Sequence, residues 1–338
     1  PFQAEDGIRD TSRGLVGSEM CIRDSRAADD PASRKTFSLA HLSDPHISCI
    51  KYINGRDLAG KRLLGYIKWK LLRSAEHGDH ILTALKTDLA RTEPDHIAVT
   101  GDVTHLSLPA EFEKAGQWLQ SLGSPSNITV IPGNHDTYVK TDWRQTMAHW
   151  ADYMLSDTPR KDNHLAENTS TLFPSLRTRG SVAIIGVCTA HPSAPHLAVG
   201  SIGARQLQKL AAILSQTARK QFYRVVLIHH PPVAGSVSWR KHLTDAASLR
   251  SLLARYGAEL VLHGHAHRTL QRNLQTPVGK LPVVGVPSIS ALSRKPERRA
   301  RYHIYRIAPL STGWDVRFEV RLYSPDDDRF IKEREQQL

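Results

Sequence analysis

An α/β fold with crossover helices is what this chain predicts, and three observations carry that expectation. Short β-branched apolar runs alternate with segments whose apolar residues recur at helical spacing. Glycine, proline or a small polar residue closes the runs where strands should end. Clusters of Asp, His and Asn stand just past those closures, so groups far apart in sequence can converge on one edge of a sheet.

Residues 36–43 (TFSLAHLS) alternate apolar and polar and read as a first strand that delivers Asp44 and His46 from its end. Residues 79–91 carry Ile81, Leu82, Leu85 and Leu89 at helical spacing, and Pro94 breaks the chain before a strand at 96–100. Pro109 opens a helix through 122, with Phe112, Ala115, Trp118, Leu119 and Leu122 as its buried stripe. A strand at 128–131 is closed by Pro132. A helical stretch at 142–155 then precedes a polar segment, 156–180, which reads as a loop or small cap beside the site. Alternation resumes with a strand at 182–187, a helix at 204–219, a strand at 224–228, a helix at 244–256 and a strand at 259–262. Strands follow at 282–286, 302–307 and 314–322, and the charged tail from Asp326 is expected to fray. Residues 36–323 thus read as one catalytic domain, with 324–338 as its tail.

At 338 residues the chain is long enough for a full core, and its hydrophobic content of 40% is ordinary for a globular protein. No run of about 18 apolar residues exists, which argues against a membrane-spanning helix. Cys21, Cys49 and Cys188 form no close pair, a pattern that fits a reducing compartment, and a cytoplasmic location is expected. The net charge of +12 favours polyanionic partners. Residues 1–26 are set aside as a disordered, non-native segment, because 10–25 resemble translated sequencing-adapter read-through.

Five motifs carry the chemistry: Asp44-Pro45-His46, Gly101-Asp102, Gly133-Asn134-His135-Asp136, His229-His230 and Gly264-His265-Ala266-His267. Hard oxygen donors mixed with imidazoles suit Mn, Fe, Zn or Co rather than calcium. Two such metals roughly 3.5–4 Å apart can hold a hydroxide between them and clamp a phosphoryl group for in-line attack. Each motif alone is common, whereas all five in order, each after a strand-like run, are specific. His41, His96, His105 and His263 lie near the motifs but read as strand or loop histidines, and Cys49 and Cys188 as small buried hydrophobes.

The ordered set, spanning Leu39 to His267, resembles the calcineurin-like metallophosphoesterase superfamily. Its His229-His230-Pro231-Pro232 and Gly-His-Ala-His wording is most similar to the class III cyclic-nucleotide and glycerophosphodiester phosphodiesterase branch. The resemblance implies a four-layer αββα sandwich. It implies one metal held by Asp44, His46, Asp102 and His267, and a second by Asp102, Asn134, His229 and His265, with Asp102 as the bridge. His135 would stabilise or protonate the leaving oxygen. Asp136 would orient His135 or a neighbouring group, and His230 would support the ligands or face substrate.

The expected function is hydrolysis of a phosphodiester by a metal-bridging hydroxide, with two divalent or trivalent ions (Mn, Fe or Zn) as cofactors. Alternatives are a pyrophosphatase acting on a lipid-linked nucleotide such as UDP-diacylglucosamine, and a non-catalytic scaffold of the same fold. The expected partner is a phosphorylated small molecule or lipid-linked substrate, with no specific nucleic acid. Residues 61–73 (KRLLGYIKWKLLR) place Leu63, Leu64, Ile67 and Leu71 on one helical face and most of their basic residues off it. That pattern suits either peripheral contact with an anionic membrane or an ordinary helix packed on the sheet. Residues 294–301 (RKPERRAR) read as a solvated loop or as a basic rim for an anionic substrate.

Overall fold

The computed structural model describes residues 35–49, 62–63, 78–158 and 168–338. The adapter-like residues 1–26, residues 61–73 apart from Arg62 and Leu63, and residues 159–167 of the polar segment lie outside the described residues.

Two six-stranded sheets pack face to face. The first has the order β12-β11-β10-β1-β2-β3 and the second β4-β5-β6-β7-β9-β8. In the first sheet, β1 (Phe37–Leu42), β2 (His96–Val99) and β3 (Ile128–Val130) run parallel. β10 (Arg301–Pro309) joins β1 antiparallel, followed by β11 (Trp314–Ser324) and β12 (Arg329–Gln337). In the second sheet, β5 (Val182–Val187), β6 (Tyr223–Ile228), β7 (Leu260–His263) and β9 (Gly279–Gly285) are parallel. Antiparallel edges are added by β4 (Ser175–Arg179) and β8 (Leu270–Thr276). Crossover helices cover the outer faces: α1 (Asp79–Thr92) and α2 (Pro109–Leu122) on one side, α4 (Ala204–Arg219) and α5 (Ala246–Tyr256) on the other. A single turn, α3 (Thr169–Leu172), precedes β4.

Alternation along the strands explains this layering. In β6, Val225 and Leu227 enter the core between the sheets, while Val226 and Ile228 enter the core beneath α4 and α5 with Leu210, Leu214, Leu249 and Leu253. A strand covered on both faces reads as a continuous apolar run, and Val225, Val226, Leu227 and Ile228 of β6 are all fully buried. The four-layer αββα architecture therefore stands as expected.

The tail from Asp326 does not fray. It forms β12, paired with β11 from Arg317↔Gln337 to Ser324↔Arg329. Its anchor is Phe330, packed against Tyr302 and Tyr323 with ring centroids 5.5 and 5.6 Å away. The charged residues that suggested fraying occupy an outer edge, where charge discourages pairing with other chains. Strand β4 also appears inside the polar segment, and β8 has no counterpart in the expected set. Both are edge strands with half-polar sequences, so their apolar period is weak. The helical stretch at 142–155 resolves into two 3₁₀ segments, Trp143–Gln145 and Met147–Met154.

Three histidines are sealed in the fold away from the motifs' donor atoms. His41 Nε2 meets Thr100 Oγ1 at 2.9 Å, His96 Nε2 meets Thr129 Oγ1 at 2.8 Å, and His303 Nδ1 meets the Tyr305 hydroxyl at 3.3 Å. Burial lowers all three, to about 3 for His96 and His303, where arginines add to it, and well below the usual range for His41, where the His303 and His263 rings add to it. In the unfolded chain each titrates near 6.5. Stability is therefore fully present above pH 6.5 and lost as pH falls toward 3, because only the unfolded state takes up the protons. Each contributes a slope of up to about 1.4 kcal/mol per pH unit. Melting followed between pH 7.5 and 5.5 should drop by several degrees, and by less in His303→Phe. A melting temperature flat over that interval would show these imidazoles titrating normally.

Candidate active site

All five motifs stand at the carboxyl ends of parallel strands, the place where open α/β sheets present their ligand-binding loops. β1 leads to Asp44 and His46, β2 to Asp102, β3 to Asn134 and His135, β6 to His229 and β7 to His265 and His267. The first two loops run side by side: Asp44 N donates to Gly101 O at 3.0 Å, and His46 N to Asp102 O at 3.1 Å.

The motif side chains gather into two sets that share Asp102, and a third group, His46, His105 and His135, shares His46 with the first. Donor atoms of Asp44, His46, Asp102 and His267 lie within 4.8 Å of one another, as do those of Asp102, His229 and His265. Asn134 joins the second set, its Oδ1 3.2 Å from His229 Nε2. In the first set, His46 Nε2 and His267 Nε2 face each other at 3.1 Å, and His267 Nε2 is 3.1 Å from Asp44 Oδ1. In the second, Asp102 Oδ2 is 3.3 Å from His229 Nε2, while its Oδ1 accepts from His135 N at 2.7 Å.

Backbone carbonyls fix which nitrogen each ring turns inward. His229 Nδ1 lies 2.6 Å from Thr100 O, so Nδ1–H donates there and Nε2 is left for the centre. His265 Nε2 lies 3.0 Å from Lys241 O, which leaves Nδ1. His135 Nδ1 lies 2.6 Å from His105 O, which leaves Nε2. An imidazole whose outer N–H is engaged in this way has a defined tautomer and is a better donor on its other side.

The family profile of the calcineurin-like phosphoesterases matches residues 37–269, the stretch that carries both sets. The chain belongs to this family. A calcineurin-like phosphoesterase is a metal-dependent phosphoric ester hydrolase, and that is the enzyme class of this protein. A curated protein of Synechococcus sp., described as a probable cyclic nucleotide phosphodiesterase, is 22% identical over 225 residues, 66% of this chain and 75% of that one. A dimetal phosphatase from Danio rerio matches with a TM-score of 0.53 and 13% identity, covering 84% of this chain and 95% of that chain. Purple acid phosphatase PPD1 from yellow lupin (Lupinus luteus) seeds gives 0.55 and 9%, covering 91% and 54%. At these identities the structural likeness is one of fold. No helix among the described residues is long and apolar enough to cross a membrane.

The donor set of this phosphoesterase fits a pair of metal ions. Asp44 Oδ1 is buried without a hydrogen-bond donor, and two imidazole Nε2 atoms converge beside it. Burial works against the Asp102 charge, yet His229, His135 and His46 hold its carboxyl well below the usual range. Burial likewise opposes protonation of His229, but Asp102 beside it pushes that ring up to about 9. His265 goes the other way, lowered well below 6.5 by burial and by His230 and His229, which keeps it a neutral donor.

Backbone strain is concentrated at these same residues. Asp44, His46, Asp102, His265 and His267 all have φ between 48° and 65°. The left-handed region is uncommon for residues other than glycine, and strain of this kind clusters at functional sites. Gly133 is needed for close approach, since a Cβ there would overlap Asp102 Oδ1 and the Asp102 backbone nitrogen.

Two supporting residues have specific placements. Asp136 is buried between two of the site's loops. Its carboxylate accepts from Gly133 N (2.8 Å), Thr104 N (2.8 Å), Val103 N (3.2 Å) and Thr104 Oγ1 (3.0 Å), tying the Asp102 loop to the Asn134 loop. His230 is fully buried, with Nδ1 2.7 Å from Thr189 Oγ1 and Nε2 3.2 Å from Ala198 O, so it packs behind His265 and does not face solvent. His41, His96 and His263 are buried strand residues, as expected. His105 differs: its ring lies 5.4 Å from that of His135 and 5.5 Å from that of His46, and its carbonyl holds His135. A role played through a backbone carbonyl has no side-chain signature, so the sequence could not mark it.

Proposed function

We propose that this phosphoesterase hydrolyses phosphodiesters at a two-metal centre, with Mn, Fe or Zn as the ions its mixed carboxylate, carboxamide and imidazole donors suit. Asp44, His46, Asp102 and His267 would hold one ion, and Asp102, Asn134, His229 and His265 the other. The observation that carries the reading is the sharing of Asp102 between two donor sets that converge on one another. Bound there, the metals would act as Lewis acids on the phosphoryl oxygens and make water nucleophilic near neutral pH.

The protein's own part is positional and protonic. Asp102 can span the pair because a carboxylate has two oxygens, which an imidazole cannot match. Asn134 adds a neutral oxygen, which limits the negative charge around the reacting group. His135, its Nδ1–H fixed on His105 O, presents Nε2 to the departing oxygen, and as the imidazolium it would deliver its Nε2 proton there and be left as the neutral Nδ1–H tautomer. The Synechococcus relative, described as acting on cyclic nucleotides, supports a diester as the substrate class.

The test is a substrate panel with Mn-reconstituted protein: bis(p-nitrophenyl) phosphate, a monoester, cyclic AMP and glycerophosphodiesters. Diester turnover above monoester turnover is expected, and a reversed preference would sink the diester reading. Within it, His135→Ala should keep its metal but lose about 10²–10⁴-fold in kcat on alkoxide leaving groups. The loss should shrink for nitrophenolate, which leaves without help from an acid. Equal losses for both would assign His135 to phosphate binding instead.

A further inference from the structure

The turn that carries His105 is held from both of its polar sides. On one side the buried Glu111 carboxylate collects amides: Leu106 N at 2.7 Å, Leu108 N at 3.2 Å and His105 N at 3.3 Å, all on Oε2. A glutamate at the third position of a helix ordinarily reaches back to the one amide that precedes the helix, here Leu108. The two further amides are beyond what starting α2 requires. On the other side, Arg62 donates to the carbonyls of the same turn, Nε to Leu106 O at 3.1 Å and Nη2 to Ser107 O at 2.5 Å.

What this clamp fixes is His135. Ser107, at the centre of the turn, has φ of 54°, a strained conformation that needs outside support. Its hydroxyl donates to His135 O at 2.6 Å and accepts from Tyr138 N at 2.9 Å, while His105 O receives His135 Nδ1–H. The His135 backbone and ring are thus both registered against a turn whose amides end on a buried carboxyl oxygen and whose carbonyls end on a guanidinium.

We infer that Glu111 and Arg62 are positioning residues for His135, acting through the 105–108 turn. The kinetic consequence rests on His135 serving the leaving oxygen; the positional one does not. Neither residue is a member of the donor sets described above.

Four variants test it: Arg62→Met, Arg62→Lys, Glu111→Met and Glu111→Gln, each Mn-reconstituted. Arg62→Met and Glu111→Met should lose about 10–100-fold in kcat on a diester with an alkoxide leaving group, the scale of a lost outer contact. They should lose less than about 3-fold on a nitrophenolate diester, with KM and metal content unchanged. Glu111→Gln keeps an acceptor oxygen and Arg62→Lys a cation, so both should recover most of the rate. Equal losses on both leaving groups, or none, would overturn the inference, provided His135→Ala shows the leaving-group dependence.

Should His135→Ala show no such dependence, the role of His135 fails and the clamp is judged by magnetic resonance alone. In ¹⁵N-histidine-labelled protein reconstituted with diamagnetic Zn in place of Mn, the His135 Nδ1–H signal, identified by its loss in His135→Ala, should be protected in the wild type. It should exchange away in both Met variants. Should Glu111→Met not fold, Arg62→Met, which lies outside α2, carries the test. A protected signal surviving in Arg62→Met and in any folded Glu111→Met would overturn the positioning claim whatever His135 does.

Discussion

Asp102→Ala should be inactive on every diester and should lose metal from both positions at once. One carboxylate belongs to both donor sets, so its removal is not local. The buried His229, pushed up to about 9 by Asp102, would lose the charge that stabilises its proton, and the His135 amide would lose its acceptor. The expected loss exceeds the roughly 10²–10⁴-fold of a missing general acid. Metal analysis alongside turnover decides the matter. A variant with near-normal metal content, or with one metal lost and one retained, would show that Asp102 is not shared.

The second large effect is on stability. Arg321, 5% exposed on β11, holds Asp88 of α1 through Nε at 2.9 Å and Nη2 at 2.6 Å, and Glu319 through Nη1 at 2.8 Å. The Tyr302 hydroxyl completes the cluster, donating to Asp88 Oδ2 at 2.6 Å. Burial alone would raise the Asp88 carboxyl, yet Arg321, Tyr302 and Arg91 hold it lowered. Arg321→Met should cost about 3–5 kcal/mol, because it removes the buried partner of two buried carboxylates and leaves them only the more exposed Arg91 and Arg306. Asp88→Leu in the same chain should recover part of that, since the stranded charge goes with it. Denaturant unfolding of the single and double variants measures both. A single-variant loss below about 1 kcal/mol would mean water reaches the cluster and the network is not a keystone of the α1–β11 contact.

Much of this protein was legible before folding was considered. The covered strands β5, β6 and β7 and the amphipathic helices α1, α2, α4 and α5 are strongly periodic, and their positions fell within a few residues of expectation. The motif residues were legible because each follows a strand end, which is where the topology gathers them. The less visible parts share a physical cause. β4, β8 and β12 are edge strands, stabilised by one row of backbone bonds and a few anchors such as Phe330, so their sequences look like loops. In the same way, the groups that orient the site are carbonyls of Thr100, His105 and Lys241, which any residue could supply.

The five left-handed residues of the donor sets carry a cost that the folded chain bears whether or not substrate is present. At each, glycine would relieve roughly 1–3 kcal/mol of backbone strain, against about 0.4–1 kcal/mol of added freedom in the unfolded chain. His267, the most exposed of them with 26% of its side chain accessible, has the least packing to forfeit. Selection for durability alone would thus erode this centre one residue at a time, starting at its rim. The sturdiest descendant of this sequence would be one that had stopped doing chemistry.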